Sequence, residues 1–205
     1  MRIVCISDTH NLHSSIVIPD GDILLHSGDS TRRGTESEIR GVNSWLGALP
    51  HKHKVIISGN HDFGFQTNPF AKTWITNATY LYDSEITVEG VRIYGSPWQP
   101  WFYDWAFNLE RGPEISKVWQ KIPSGIDILM THGPPMGILD QVAYGGHVGC
   151  EELAKELHRI KPKINVFGHI HEGYGELKQN GIHYVNASSC NVKYQPINPP
   201  IVIDL

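Results

Sequence analysis

A chain of 205 residues with 40% apolar side chains can bury a sizeable core, and residues 1–205 are expected to form a single domain. A formal charge of −4 leaves it without the electrostatic footprint of a long-nucleic-acid binder, and no apolar run approaches the ~20 residues of a membrane span. Three Cys form no disulfide framework or zinc-finger spacing, and Met1-Arg2 leads straight into a strand pattern without a signal peptide, so a cytoplasmic, reducing setting is expected.

In chain order, residues 2–6 read as a short buried strand ending at Ser7-Asp8-Thr9-His10, and 22–26 as another ending at Ser27-Gly28-Asp29. Thr35 and Glu38 have the form of a capping box, and Ile39, Val42, Leu46 and Leu49 recur at helical spacing, so 35–49 is a helix. A third apolar strand, 55–58, ends at Gly59-Asn60-His61-Asp62. Residues 64–79 read as a loop with a short helix at 70–75, and 85–89 and 91–95 as a hairpin around Glu89-Gly90. An aromatic run from Trp98 to Phe107 follows, then a helix opened by Pro113 that places Ile115, Val118, Trp119 and Ile122 on one face. Residues 126–130 form a strand ending at Thr131-His132-Gly133, and 136–148 a Gly-rich loop before a helix at 150–160. The strand at 163–167 ends at Gly168-His169-Ile170-His171, and 175–178, 182–186 and 200–204 complete the strands. The alternation suggests a largely parallel sheet covered by helices, in which ligand groups gather at the carboxyl ends of strands.

The chain holds 12 His, and those that end strands beside Gly, Asp or Asn matter most. His13, His51, His53, His158 and His183 are expected at the surface or in satisfied core positions. Asp8, His10, Asp29, Asn60, His132, His169 and His171 together offer two carboxylates, one amide oxygen and four imidazoles. That is more than one divalent ion uses, and a mixed N/O set without thiolate suits Mn, Fe, Zn, Ni or Co. Two ions roughly 3.5–4 Å apart can clamp a phosphoryl oxygen and favour in-line displacement at phosphorus.

The order Asp-x-His, Gly-Asp, Gly-Asn-His-Asp, His, Gly-His-x-His, running from Asp8 to His171, resembles the calcineurin-like metallophosphoesterase superfamily. Residues 95–103, 131–135, 167–175 and 186–188 resemble its brain-type metallophosphoesterase-domain subgroup and microbial relatives, which is similar to cyclic-nucleotide phosphodiesterases. The resemblance implies an α/β fold, a two-sheet mixed β-sandwich flanked by helices, rather than one doubly wound sheet. It implies one metal on Asp8, His10, Asp29 and His171, and a second on Asp29, Asn60, His132 and His169. His61 would be no ligand; it would face the leaving-group oxygen as general acid or hydrogen-bond donor. Some members of the subgroup carry glycine at the position of His169, so its presence here implies a complete two-metal centre.

One departure stands out. The phosphoprotein phosphatases of this superfamily follow Gly-Asp with x-x-Asp-Arg-Gly, where the Asp supports the catalytic His. Here Arg32 stands at that Asp and Arg33 at the Arg. This argues against a protein phosphatase and leaves open what orients His61. Arg33 is either a phosphate contact or a solvated loop charge. The aromatic run is either a packed flap or a stacking surface for a nucleobase through Trp98, Trp101 or Tyr103. His147 is either a pocket residue or a cap or surface residue.

The expected function is a dinuclear metal-dependent phosphodiesterase in which a metal-bridging hydroxide attacks phosphorus. Its substrates would be small phosphodiesters, cyclic nucleotides first. Its cofactors would be two divalent ions, Mn foremost, with Fe, Zn, Ni, Co or Mg as alternatives. A metal-dependent phosphomonoesterase or nucleotide phosphatase is the second reading. A non-catalytic nucleotide-binding protein is the third.

Overall fold

The central strands are buried on both faces because two sheets are stacked between two layers of helix. The computed structural model describes residues 1–205. Its elements are β1 (Arg2–Ile6), β2 (Ile23–Ser27), α1 (Glu36–Ala48), β3 (His53–Ile57), α2 (Phe63–Thr67), β4 (Thr79–Tyr80), β5 (Ser84–Val88) and β6 (Val91–Ser96). Then come β7 (Gln99–Pro100), β8 (Asn108–Leu109), α3 (Pro113–Trp119), β9 (Ile128–Thr131), α4 (Glu151–Ile160), β10 (Ile164–Phe167), β11 (Gly175–Gln179), β12 (Ile182–Asn186) and β13 (Ile201–Asp204). One sheet has the order β13-β1-β2-β3-β4, and the other β11-β12-β10-β9-β6-β5. Within them β1, β2, β3 and β4 run parallel, as do β6, β9, β10 and β12, with antiparallel β13, β5 and β11 at edges.

The pleat sorts side chains between layers. Ile3, Cys5, Leu25, Val55 and Ile57 meet Ile93, Met130, Val166 and Val185 between the sheets. Val4, Ile6, Leu24 and Ile56 turn outward onto Ile39, Val42 and Leu46 of α1. Tyr94, Leu129, Phe167 and Tyr184 turn outward onto α3 and α4 through Ile115, Trp119, Leu153 and Leu157. A strand covered on both faces reads as an uninterrupted apolar run.

The single parallel sheet suggested by the alternation is therefore two sheets, as the superfamily resemblance implied. The hairpin of β5 and β6 marks the change, because β6 pairs with β9 rather than with a strand of the first sheet. The short helix expected at 70–75 is one 3₁₀ turn at Ala71–Trp74, while α2 forms directly after Asp62. Five residues including Gly64 are too few to show a period. The capping box is present: Thr35 Oγ1 accepts from Glu38 N, and the Glu38 carboxylate accepts from Thr35 N at 2.9 Å. That carboxylate also accepts from Arg32 N, Arg33 N and the Asn11 amide, which ties the start of α1 to the loops after β1 and β2.

The parallel strands of both sheets end in the same direction, so their loops meet at one seam. Gly168 sets the approach there: a Cβ would lie 2.0 Å from Asp8 Oδ2 and 2.2 Å from Ser7 Oγ. Gly168→Ala should therefore lower stability by about 3 kcal/mol. Gly41, inside α1 with nothing near its missing Cβ, should gain about 0.5–1 kcal/mol as Ala. Denaturant midpoints check both, and equal effects would refute the seam geometry.

Candidate metal centre

Five loops supply the site, each leaving the carboxyl end of a strand: β1 (Asp8, His10), β2 (Asp29), β3 (Asn60, His61), β9 (His132) and β10 (His169, His171). Asp8, His10, Asp29 and His169 take left-handed backbone conformations (φ +53°, +43°, +53° and +68°). Such conformations are uncommon for residues other than glycine and cost energy that the surroundings must offset. Asp8, His10, Asp29, Asn60 and His132 are buried, while His169 and His171 reach partly into the open.

The structure brings six of the seven expected ligands into mutual contact, and His169, outside that set, lines the same cleft with its ring centroid 5.0 Å from that of His132. Ligand atoms of Asp8, His10 and His171 lie within 4.8 Å of one another, as do those of Asp8, Asp29 and His132. Asp29 spans the two groups, with Oδ1 3.5 Å from His132 Nε2 and Oδ2 4.0 Å from His10 Nε2. Asn60 Oδ1 is 2.9 Å from His132 Nε2. A third grouping, His10, Asp29 and His61, comes from His61 Nε2 lying 3.9 Å from Asp29 Oδ2.

Backbone carbonyls settle the imidazole tautomers. His132 Nδ1 donates to Ser27 O and His171 Nδ1 to Asn191 O, both at 3.0 Å. A carbonyl oxygen has no proton to give, so in the neutral form of each ring it is Nε2 that presents the lone pair. His132 Nε2 then meets oxygens of Asn60 and Asp29, and His171 Nε2 meets Asp8 Oδ1 and His10 Nε2, each at 3.4 Å. Without a metal, a proton on His132 Nε2 can bridge to these oxygens; once that proton leaves, the converging electron-pair donors suit a cation. The donor set thus fits two divalent ions.

The charges agree. Burial opposes ionisation of Asp29, but His132 and His10 hold its carboxyl well below the usual range. Burial likewise opposes ionisation of Asp8, which the His171 hydrogen bond and charge hold well below its usual value. Burial lowers His10 to about 4 and His169 to about 3, so both are neutral and free to ligate at neutral pH. His132 and His171 go the other way: burial opposes their charge, yet Asp29 and Asp8 raise His132 to about 9, and the Asp8 hydrogen bond and charge raise His171.

Several groups support the site from behind, among them Asp62, the last residue of the Gly59-Asn60-His61-Asp62 motif. The Asp8 carboxylate accepts from His169 N and from Ser188 Oγ, 2.9 Å from Oδ2. Asp62 is fully buried and accepts from the backbone N–H groups of Ser30, Thr31 and Gly59 and from the hydroxyls of Ser30 and Thr31. It staples the Asp29 loop to the Asn60 loop, although burial and the Asp29 charge push it up to about 6. His61 Nδ1 donates to Arg32 O at 3.2 Å. The residue standing where an acid would support the histidine supports it through its own backbone carbonyl.

His61, Trp105 and Tyr194 line both the central cleft and a recess of about 360 Å³ walled by Arg32 and Arg33. The His61 and Trp105 rings are 4.3 Å apart, and Tyr194 Oη is 3.5 Å from His61 Nε2. The Arg33 guanidinium lies 5.7 Å from the Trp105 ring and 5.8 Å from the Phe63 ring. Trp105 belonged to the aromatic run; nothing near Tyr194 in the sequence marked it.

Two expected substrate contacts are elsewhere. Trp98 donates its indole N–H to Asp83 at 2.9 Å and packs against Tyr82 and Phe107, so satisfying its buried N–H turns it away from the cleft. His147 pairs with the buried Asp140 at 2.6 Å and lines neither the cleft nor its recesses. Among the bland histidines, His51 is buried with no partner on either ring nitrogen.

The proton that His132 keeps up to about pH 9 must leave before a cation takes its lone pair, so metal affinity should rise with pH up to about 9. Calorimetry in buffers of different ionisation heat should show about one proton released near pH 7.5; no release would refute it. Asp62→Ala should cost about 3 kcal/mol of stability, read from denaturant midpoints, and weaken metal binding.

No helix is long and apolar enough to cross a membrane. A family model described as calcineurin-like phosphoesterase matches residues 1–173. The human metallophosphoesterase domain-containing protein 1 is 48% identical over 230 aligned positions, covering 100% of this chain and 71% of that protein. A Thermus thermophilus protein shares the fold at a TM-score of 0.60 and 10% identity, covering 90% of this chain and 88% of that one. A novel archaeal phosphodiesterase does so at 0.51 and 14% identity, covering 100% and 93%. With its donor set converging at the seam of two parallel-rich sheets, the chain belongs to the calcineurin-like phosphoesterase family of metal-dependent phosphoester hydrolases.

Proposed function

We propose that this protein is a dinuclear metal-dependent phosphodiesterase acting on small phosphodiesters, cyclic nucleotides (2′,3′ or 3′,5′) first, with Mn²⁺ as the working ion. The observation that carries the reading is Asp29, a buried carboxylate with one oxygen toward each of two ligand groups. Asp8, His10, Asp29 and His171 would hold one ion, and Asp29, Asn60, His132 and His169 the other. Bound there, the ions supply Lewis acidity to the phosphoryl oxygens and make water acidic enough to act as a nucleophile.

The remaining work falls to the chain. Hydrolysis joins a water oxygen to phosphorus and breaks the P–O bond in line, and the departing alkoxide must take a proton. We assign this to His61, and two observations support the role: its Nδ1–H is held by Arg32 O, and its side chain lines the cleft. Its imidazolium gives the Nε2 proton to the leaving oxygen. Arg33, whose side chain borders the same recess, offers a cation to an anionic substrate.

With Mn²⁺, bis-4-nitrophenyl phosphate should turn over faster than 4-nitrophenyl phosphate, and chelation should abolish both rates. The reverse preference would make the protein a phosphomonoesterase. Asn60→Ala should lose one of two ions by metal analysis. His61→Ala should keep both ions and lower kcat by about 10²–10⁴-fold; loss of an ion instead would make His61 a ligand. Arg33→Ala should raise KM, and an unchanged KM would remove Arg33 from the site.

A further inference from the structure

A second recess, of about 270 Å³, opens off the central cleft. The two share Phe102 and His169, whereas the cleft meets the arginine-walled recess through His61, Trp105 and Tyr194. The two recesses have no lining residue in common, so they leave the cleft by different walls. Their chemistry differs as well. The second is walled by Trp101, Phe102, Pro134, Val142, Val148 and Ile170. Trp101 and Phe102 are 53% and 50% exposed, which is unusual for such large apolar rings and leaves their faces free.

One charged residue touches this recess, and it is already occupied. Arg111 donates to Gly149 O at 2.7 Å, to Val148 O at 2.8 Å, and pairs with Glu151. Asp140, fully buried, accepts from Gly137 N and Gly149 N and pairs with His147. These contacts make the segment from Asp140 to Gly149 a built wall. They also give His147 its purpose, which is to hold that wall rather than to touch a ligand. With the Arg111 guanidinium nitrogens Nη1 and Nη2 engaged by the wall itself, the recess offers mainly surface for stacking. The volume lies just under the usual 300–1,000 Å³ of ligand sites, room for one ring system.

A phosphodiester has two organic arms. In-line displacement sends one of them, the leaving group, past His61 and hence into the recess walled by Arg32 and Arg33. The other stays on phosphorus and needs a different exit from the cleft. We infer that the apolar recess beside His169 is the subsite for the retained ester arm, and that it accepts a planar aromatic substituent by stacking. The inference rests on the phosphodiesterase reading and deepens it, since a phosphomonoester has no retained arm to fill such a subsite.

The test holds the leaving group constant. Phenyl 4-nitrophenyl phosphate and methyl 4-nitrophenyl phosphate both release 4-nitrophenolate and differ only in the arm that stays. The change in their kcat/KM ratio between variant and wild type cancels both the leaving-group step and the intrinsic reactivity of the esters. Trp101→Ala combined with Phe102→Ala should lower the phenyl-to-methyl ratio at least about fivefold, the scale of losing one ring stack. Val148→Trp, which fills the recess from its other wall at an exposed position, should lower it as well. A ratio unchanged in both variants overturns the subsite while leaving the phosphodiesterase reading intact. Failure of the wild type with Mn²⁺ to hydrolyse either ester removes that reading, and the subsite with it.

Discussion

Asp8 and Asp29 are carboxylates with almost no access to water, placed where the carboxyl ends of two stacked sheets meet. An unmatched buried charge is not tolerated, so the surroundings must supply cations or donors. Four imidazoles, the Ser188 hydroxyl and the backbone N–H groups of His61 and His169 converge on these two side chains. In the metal-free state part of the positive charge is a proton on His132. Divalent cations bound there would meet the same demand and would also engage the lone pairs that neutral His132 and His171 present.

That demand reaches far into the fold. The two carbonyls that fix the imidazole tautomers come from Ser27, at the end of β2, and Asn191, in the loop before β13. His132 belongs to the second sheet and its carbonyl to the first, so the ligand geometry depends on the stacking of the sheets. Gly168 permits the contact and the Asp62 staple fixes the neighbouring loops. A change at any of these positions moves ligand atoms without touching one.

The same seam decides what surrounds the reacting phosphorus. On the His61 side are two arginines and Trp105; on the His169 side is a wall of aromatic, proline and aliphatic surface. One metal centre serves many esters across this fold, so selectivity must come from such walls. Here they differ in polarity, and under the proposed diesterase reading a diester would use both where a monoester would use one.

The candidate ligands were legible in the sequence because each follows a short apolar run at a strand end, where a parallel sheet has to deliver its functional groups. Helix α1 was legible for a related reason: its capping box and apolar stripe are local patterns. The split into two sheets was not read from the alternation of elements, since spacing does not say which strand β6 pairs with. The partner of His61 was hidden because it is a backbone carbonyl, which every residue possesses. Trp98 and His147 looked like pocket residues by type, and only their pairing with Asp83 and Asp140 removed them from the cleft. Tyr194 entered it from a loop with no pattern at all. Residue identity and local spacing determine which groups can bind a metal; which groups face the substrate is decided by contacts between loops far apart in the chain, and these exist only once the sheets have stacked.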